Sequence, residues 1–589
     1  MRRLRVALAQ INSTVGDLAG NAARCLDAAR RAAELDADLV AFPELAICGY
    51  PPEDLLLRAS FIHDAVAALE GLARDADGLP PLVVGGLEFD LVLYNSAAVL
   101  HSGRIVGGHR KHRLPNYGVF DEQRYFQAGT ATPRFVIGGV EVAATVCEDI
   151  WYPDGPARDA ALAGAEVIVN INASPFHAGK ARERERMLAT RAVDNHVAIA
   201  YVNQVGGQDE LVFDGNSLVL DACGELLARA ASMREDLVVV DIAVDDVLQV
   251  RLHESRLRRV SPSRERPQHE AVPPLHVTPA HEGVRAALPP TDLAPPDPLA
   301  ETYEALVVGT RDYVRKSGFE DVIVALSGGL DSSLVAAVAV DALGAEHVRG
   351  VSLPSRYSSE GSVGDARDLA ERLGIALVTM PIEPLHETAL DTLAREFEGT
   401  REGTAEENLQ SRLRGLLVMA LSNKFGTLVL TTGNKSEYAC GYATLYGDMV
   451  GGFAVIKDVP KTLAYDLARH RNARGAAASA APGDPSDPVI PQAVIDKPPS
   501  AELRPDQLDT DSLPPYEVLD PIIEAYVEDD VSFEAIVDRG FDPDTVGRII
   551  DLIDRNEYKR RQSPPGVKIT SRAFGRDRRY PLASRYRGH

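Results

Sequence analysis

The 589-residue chain has few cysteines, a single tryptophan, no paired-thiol motif and no excess of positive charge. Its five cysteines stand far apart, at 25, 48, 147, 223 and 440, and no CxxC pair exists. That excludes a zinc cluster built on paired thiolates and a disulfide framework. No apolar run reaches the roughly 18 residues that a membrane span needs. The basic N-terminus is followed by an apolar stretch too short for a secretory signal. These absences point to a reducing, cytoplasmic setting without a membrane. Lys+Arg 62 against Asp+Glu 86 gives a net charge of −24. Such a chain repels polyphosphate backbones, so nucleic acid is excluded as a partner. A phosphate-bearing ligand must instead be gripped locally, by a few placed groups. No internal repeat is found. At 45% hydrophobic and 25% charged, the composition is that of globular protein, not of a disordered, collagenous or coiled-coil chain.

The first 260 or so residues alternate short strand-like runs with helical ones. Residues 4–9, 39–42, 82–86, 142–146, 167–171 and 197–202 read as buried strands. Residues 21–34 read as a helix, with Ala22, Cys25, Leu26, Ala29 and Ala33 on one face. Proline is dense across 265–298, which reads as a surface linker. The α/β rhythm then restarts. Helices are expected at 302–317, 332–343 and 405–424. Strands are expected at 322–326, 348–353, 376–380 and 428–431, in the order of a doubly wound parallel sheet. Residues 471–488 (RNARGAAASAAPGDPSDP) have no periodicity and predict a mobile, disordered surface insertion. The expected domains are therefore 1–264, a linker at 265–298, and 299–589.

The most specific motif in the second half is SGGLDSS at 327–333, between a strand and a helix. Glycine permits the tight turn and lets backbone N–H groups approach a ligand. The helix points its positive end at the same place. Ser327, Gly328, Gly329, Leu330 and Ser332, with Ala325 and Leu326 leading in, thus form an anion cradle. Asp331 would repel a bare phosphate, but suits Mg²⁺ bound to one. No lysine follows the glycines, so this is not the GxxxxGK[ST] loop.

This segment resembles the ATP pyrophosphatase superfamily, whose members split ATP between its α and β phosphates to adenylate a substrate. Further runs, NLQSR at 408–412, TTGNKSE at 431–437, GD at 447–448 and KDVPK at 457–461, look like its NAD synthetase branch. The resemblance implies ATP binding at 325–332 and Thr432, and Mg²⁺ at Asp331 and Glu437. It implies deamido-NAD contacts at Asn408, Arg412, Glu437 and Lys559. ATP and Mg²⁺ are expected, and no prosthetic group.

In the first half Cys147 follows a strand. Taken alone, such a cysteine is a small buried hydrophobe. Glu44 closes another strand, in PEL at 43–45, and Lys111 follows a third, in KHRLPNYGVFDE at 111–122. Strand ends are where α/β sites assemble. A thiol attacks an amide only when a base such as Glu44 takes its proton. The oxyanion then needs a donor such as Lys111, and Glu122 could orient that lysine. This constellation resembles the nitrilase (carbon–nitrogen hydrolase) superfamily. That implies a four-layer αββα sandwich, a Glu44–Lys111–Cys147 triad and glutamine contacts at Tyr117, Ser174 and Lys180. Trp151 is expected to pack rather than to react.

One half would free ammonia from an amide and the other would adenylate a carboxylate. Together they resemble the glutamine-dependent NAD synthetase family. That implies glutamine, ATP and deamido-NAD as substrates, ammonia channelled between sites, and a homo-oligomer formed through the synthetase halves. Another glutamine-dependent amidating ligase on the same phosphate loop stays open as the alternative. A non-catalytic nucleotide sensor would be marked by loss of a triad member or of Asp331, and all are present.

Overall fold

A computed structural model describes residues 2–255, 273–291, 293–474 and 488–586. The chain forms two compact units, Met1–Gln208 with Val212–Pro296, and Asp209–Leu211 with Asp297–His589. Among the described residues no helix is long and apolar enough to cross a membrane.

The first unit begins β1 (Arg3–Gln10), α1 (Leu18–Glu34), β2 (Leu39–Ala41), α2 (Ala59–Asp75), β3 (Leu82–Asp90), β4 (Val92–His101) and β5 (Arg104–Arg110). It continues β6 (Arg134–Ile137), β7 (Val140–Val146), α3 (Pro156–Ala163), β8 (Val167–Asn172), α4 (Lys180–Asn195) and β9 (Ala198–Asn203). The hairpin β10 (Val205–Gln208) and β11 (Leu211–Asp214) comes next, then β12 (Leu218–Leu220), β13 (Leu226–Arg229), β14 (Asp236–Ala243), α5 (Val244–His253) and β15 (Leu275–His276). One sheet runs β14-β1-β2-β3-β4-β5 and a second runs β13-β12-β9-β8-β7-β6-β15.

Strand alternation dictates how they pack. Leu4, Val6 and Leu8 of β1 share a core with Val142, Ala144 and Val146 of β7. Ala7 and Ala9 face the other way, onto Cys25, Ala28, Ala29 and Ala32 of α1. The far face of β7, through Ala143, packs on Ala157 of α3 and Leu188 and Ala192 of α4. Two inner sheet faces meet and each outer face is covered by helices, which is the expected αββα sandwich.

The segment expected to be a linker does not run free where it is described. Leu275 and His276 pair in parallel with Phe135 and Val136 of β6, and Arg285 donates to Asp38 at 2.7 Å. Its proline content confines the pairing to a sheet edge. Residues 256–272 lie outside the described set.

The second unit opens with α6 (Pro298–Lys316), β16 (Val322–Ala325), α7 (Leu330–Leu343), β17 (Val348–Ser352), α8 (Glu360–Leu373) and β18 (Ala376–Thr379). Then come α9 (Glu383–Leu393), α10 (Thr404–Phe425), β19 (Leu428–Thr431), α11 (Lys435–Cys440), β20 (Phe453–Ala454) and α12 (Lys461–Ala473). Pro298 starts α6 rather than ending the linker, since proline fits a helix's first turn, and Asp297 caps it by accepting from Ala300 N at 2.8 Å. The sheet runs β18-β17-β16-β19-β20, with every pair parallel. The chain winds outward from β16 to β18, then crosses back to β19. A crevice therefore opens beyond the ends of β16 and β19, where such sheets bind ligands.

The insertion expected at 471–488 begins later than its composition suggests. Arg471, Asn472 and Ala473 are the last turn of α12. Arg471 is buried and pairs with Asp341 through Nε at 2.6 Å and Nη2 at 3.0 Å. Residues 475–487 lie outside the described set.

Two candidate active sites

Glu44, Lys111 and Cys147, scattered over a hundred residues of sequence, converge in the first unit. Glu44 follows β2, Lys111 follows β5 and Cys147 follows β7. The turn bearing Glu44 lies directly on β3, where a Cβ at Gly85 would stand 2.2 Å from the Pro43 carbonyl oxygen. Lys111 Nζ donates to Glu44 Oε1 at 2.7 Å and to Glu122 Oε1 at 2.8 Å. Asn95 Nδ2 and Ala173 N also donate to the Glu44 carboxylate, at 2.7 and 3.1 Å, and Tyr50 OH donates to Glu122 at 3.0 Å. Glu44, Lys111, Glu122 and Cys147 are all buried.

Burial alone would lower the Lys111 ammonium, but Glu122 and Glu44 outweigh it and hold it protonated, well above its ordinary value. Burial, with Glu44 adding to it against the opposing charge of Lys111, pushes Glu122 up to about 7. The Cys147 thiol is raised by burial first and by Glu44 next, with Lys111 opposing. Desolvating ions costs several kcal/mol each, so packed apolar groups would stabilise this place at least as well. Such strongly shifted, buried and paired groups mark a candidate site for proton transfer.

The residues expected to hold glutamine flank this array. Tyr117 OH reaches both oxygens of Glu148 at 3.0 Å. Ser174 is buried, its N–H donating to Asn203 Oδ1 at 2.9 Å. Lys180 opens α4, its ammonium 4.5 Å from the Trp151 ring centre, and burial lowers its pKa. Trp151 therefore packs against a cation, beside the α3–α4 core. Glu148, the residue after the cysteine, was not singled out in the sequence.

In the second unit the SGG turn leaves β16 and enters α7 through Gly329. Gly328 has φ +76°, and a Cβ there would stand 2.1 Å from the Ser362 carbonyl oxygen of α8. Only glycine fits that place. Ser332 Oγ folds back on the turn, donating to Gly329 O at 3.0 Å. Ala325 to Ser327, Gly329 to Ser332, Thr432 and Glu437 line one cleft. Asp331 Oδ2 accepts from Lys461 Nζ at 2.6 Å and from Asn434 Nδ2 at 3.1 Å. Its Oδ1 is buried without a protein partner. Burial first and the charge of Asp331 next raise Glu437 well above the carboxylate range, against Lys461. A spare buried oxygen beside a second carboxylate suits a hard cation. Among the described residues no group of three or more His, Cys, Asp or Glu is arranged to hold a metal ion, and two carboxylates would leave most positions to water and phosphate, as Mg²⁺ prefers.

Asn408 and Arg412, one turn apart on α10, and the distant Lys559 meet one loop. Asn408 Oδ1 accepts from Thr444 Oγ1 at 2.8 Å. Arg412 Nε donates to Leu445 O at 3.2 Å, and Lys559 Nζ donates to Gly441 O at 2.7 Å and Ala443 O at 2.9 Å. Asp448, at the end of this loop, is pushed up to about 6 by burial and lines the cleft. Lys461 and Asn434 had no assigned role in the sequence. Both lie in runs that mark the family, KDVPK and TTGNKSE, and that was the available signal.

Residues 302–563 match the NAD synthase family and residues 5–252 match the carbon-nitrogen hydrolase family. The chain is 47% identical to a glutamine-dependent NAD(+) synthetase of Thermotoga maritima, covering 100% of both chains. It is 46% identical to one of Aquifex aeolicus, over 99% of this chain and 100% of that one. A solved glutamine-dependent NAD+ synthetase of Acinetobacter baumannii, in complex with adenosine diphosphate, superposes with TM-score 0.72 at 40% identity, covering 100% of both chains. With both halves matched, and with this identity held from end to end, the chain belongs to the glutamine-dependent NAD(+) synthetase family.

Proposed function

We propose that this chain hydrolyses glutamine at Cys147 and uses the ammonia to amidate deamido-NAD to NAD, with ATP cleaved to AMP and pyrophosphate. The observation that carries the first step is the buried Glu44–Lys111–Glu122 array, whose charges act on the Cys147 thiol. Glu44 takes the thiol proton and Sγ attacks the amide carbon. Lys111 stabilises the oxyanion. Glu122 Oε2, buried without a protein partner, is placed to accept from the amide NH₂. Collapse of the adduct breaks the C–N bond, and Glu44 returns its proton to the departing ammonia. Water, deprotonated by Glu44, then cleaves the thioester and releases glutamate. Lys180 and Glu148 offer opposite charges for glutamine's carboxylate and ammonium groups.

In the second unit the nicotinate carboxylate attacks the α-phosphorus of ATP and pyrophosphate leaves. Ammonia then attacks the acyl carbon and AMP leaves, a far better leaving group than oxide. The turn at 327–332, Thr432 and Lys461 hold the phosphates. Asn408, Arg412, Glu437 and Lys559 hold the dinucleotide. Mg²⁺ held at Asp331 and Glu437 would neutralise polyphosphate charge. Residues 1–264 act as the glutaminase and 299–589 as the synthetase, joined through 265–298. Free ammonia is mostly protonated at neutral pH, so passing it between sites without release preserves the nucleophile. A cytoplasmic homo-oligomer, paired through its synthetase parts, completes the reading.

The test supplies purified chain with ATP, Mg²⁺, deamido-NAD and either glutamine or ammonia. NAD, AMP and pyrophosphate are expected in equal amounts from either donor. Absence of NAD with both donors, or ADP in place of AMP, overturns the assignment. Amidation of a guanine-nucleotide precursor or of aspartate instead would move it to another ligase on the same loop.

A pH dependence follows from Glu122. Below about 7 this carboxyl is protonated. It then no longer offers Lys111 a charged acceptor, and its Oε2 is no longer a bare acceptor for the amide NH₂, so the amide is less well set for attack. Glutaminase kcat/KM is expected to fall about tenfold per pH unit below that value, as for one essential ionisation. In Glu122→Gln the charge is absent at every pH, so this fall disappears. A wild-type profile flat from pH 6 to 8 would refute the argument.

A further inference from the structure

Cys147 has φ +43°, in the left-handed region that disfavours any residue with a Cβ. Such a conformation costs about 1–3 kcal/mol and persists only where its surroundings over-determine it. What surrounds it is the carboxylate of Asp149, which is fully buried. Asp149 Oδ2 accepts from Val146 N at 3.0 Å and meets His109 Nε2 at 2.9 Å. Asp149 Oδ1 accepts from His112 N at 3.0 Å and from Arg113 N at 2.9 Å.

Val146 immediately precedes the nucleophile, and His112 immediately follows Lys111. One carboxylate therefore ties the backbone before the thiol to the backbone after the ammonium. The other bonds of the Lys111 backbone do not reach β7. Lys111 N donates to Asn95 O, and Lys111 O accepts from Gly129 N, both at 2.8 Å. Burial alone would raise the Asp149 carboxyl, but the hydrogen bond and charge of His109 and the N–H groups of Val146 and Arg113 outweigh it and hold it ionised.

We propose that Asp149 is a positioning residue for glutamine hydrolysis, clamping residue 146 to residues 112–113 so that the Cys147 thiol faces Lys111 and Glu44. Asp149 touches no reacting atom. It acts through two backbone segments, and His109 on β5 orients its carboxylate. The clamp rests on the reading of Cys147 as the glutaminase nucleophile.

Asp149→Asn, in the full chain, tests it. Asparagine keeps the volume, but turns an NH₂ toward the Val146 N–H or toward the pair at 112–113. Glutaminase kcat is expected to fall about 100-fold, the order of a misplacement near 1 Å, with KM for glutamine within about threefold of wild type. Alkylation of Cys147 by iodoacetamide, followed by the mass of its peptide, should slow by a similar factor. The fraction of Cys147 that finally labels should stay near one, and ammonia-driven NAD synthesis should stay within about twofold. Unchanged kcat and labelling rate overturn the clamp. So does a kcat loss that merely matches a smaller labelled fraction, which would mark a folding role alone.

Should Asp149→Asn not fold, His109→Leu carries the test. It leaves the three N–H bonds to the carboxylate and removes only its orienting partner. A fall of about tenfold in kcat, with full labelling, is then expected, and no fall overturns the clamp. Cys147→Ala run in parallel separates the two readings. Glutamine-driven synthesis surviving in Cys147→Ala sinks the nucleophile, whereas an inactive Cys147→Ala beside an unimpaired Asp149→Asn sinks the clamp alone.

Discussion

Cys147→Ala is expected to lose glutamine-driven NAD synthesis by at least about 10³-fold, the order seen when a catalytic nucleophile is removed. Ammonia-driven synthesis should stay within about twofold. The argument is one of geometry. The charges of Glu44 and Lys111 act on the Cys147 thiol in the first unit, whereas the turn after β16, Thr432 and Lys461 line the cleft of the second. The deletion removes one buried sulfur, so its packing cost is about that of a single methyl-sized group. The nearest alternative nucleophile is Cys48, four residues from Glu44. Its thiol points at the carbonyls of Leu45 and Gly49, and burial pushes it up to about 12. Cys48→Ala should therefore retain glutaminase activity. Equal loss of both donor activities in Cys147→Ala would mean that the substitution damages the fold. Survival of the glutamine activity would remove Cys147 from the chemistry.

Asp331→Asn has the opposite signature, since both donors should fail together, by about 100-fold or more, as for loss of one preorganised charge in a shielded site. The Asp331 carboxylate pairs with Lys461 and accepts from Asn434, the residue that caps α11 and so places Glu437. Asparagine offers an amide where Lys461 needs an anion, which leaves a buried ammonium uncompensated. It also removes the charge from the spare oxygen that suits Mg²⁺. The Mg²⁺ concentration giving half-maximal rate should therefore rise about tenfold. Glutaminase activity measured as glutamate release, without ATP, should be unchanged. Loss of synthesis from glutamine with retention from ammonia would contradict the placement of Asp331 at the phosphate site.

These effects are expected to separate because the first site hangs on the two facing sheets of the first unit and the second on the parallel sheet of the second. The β16-turn-α7 unit was legible from SGGLDSS and its flanking strand, since backbone geometry there is local and glycine is required at φ +76°. The strand ends that carry Glu44, Lys111 and Cys147 were legible as well, because buried strands announce themselves by apolar runs. Their convergence was anticipated from chemistry and from family resemblance, while the distances that join them belong to the folded sheets.

Composition misread two places. The proline-rich segment near 275 looked like a tether, yet a sheet edge can accept a two-residue strand even among prolines. The last turn of α12 looked like the start of an insertion, because alanine and glycine follow it at once. Arg471 keeps that turn in the fold through Asp341, on a helix 130 residues earlier.

Pattern, turn chemistry and motif spacing act over a few residues, and over that range they were sufficient to point to a candidate anion-binding turn and a candidate nucleophile. The support around them is long-range. Asn95 on Glu44 spans 51 positions, Lys461 on Asp331 spans 130, and Asp149 reaches across 37 to His112. Such pairs leave no local trace, since each partner alone reads as a solvated polar residue. They meet because β2, β5 and β7 end, and β4 begins, on the same side of two facing sheets, and because the strand order reverses between β16 and β19. Sheet order is set by which faces bury together, a property of the whole core rather than of any segment in it.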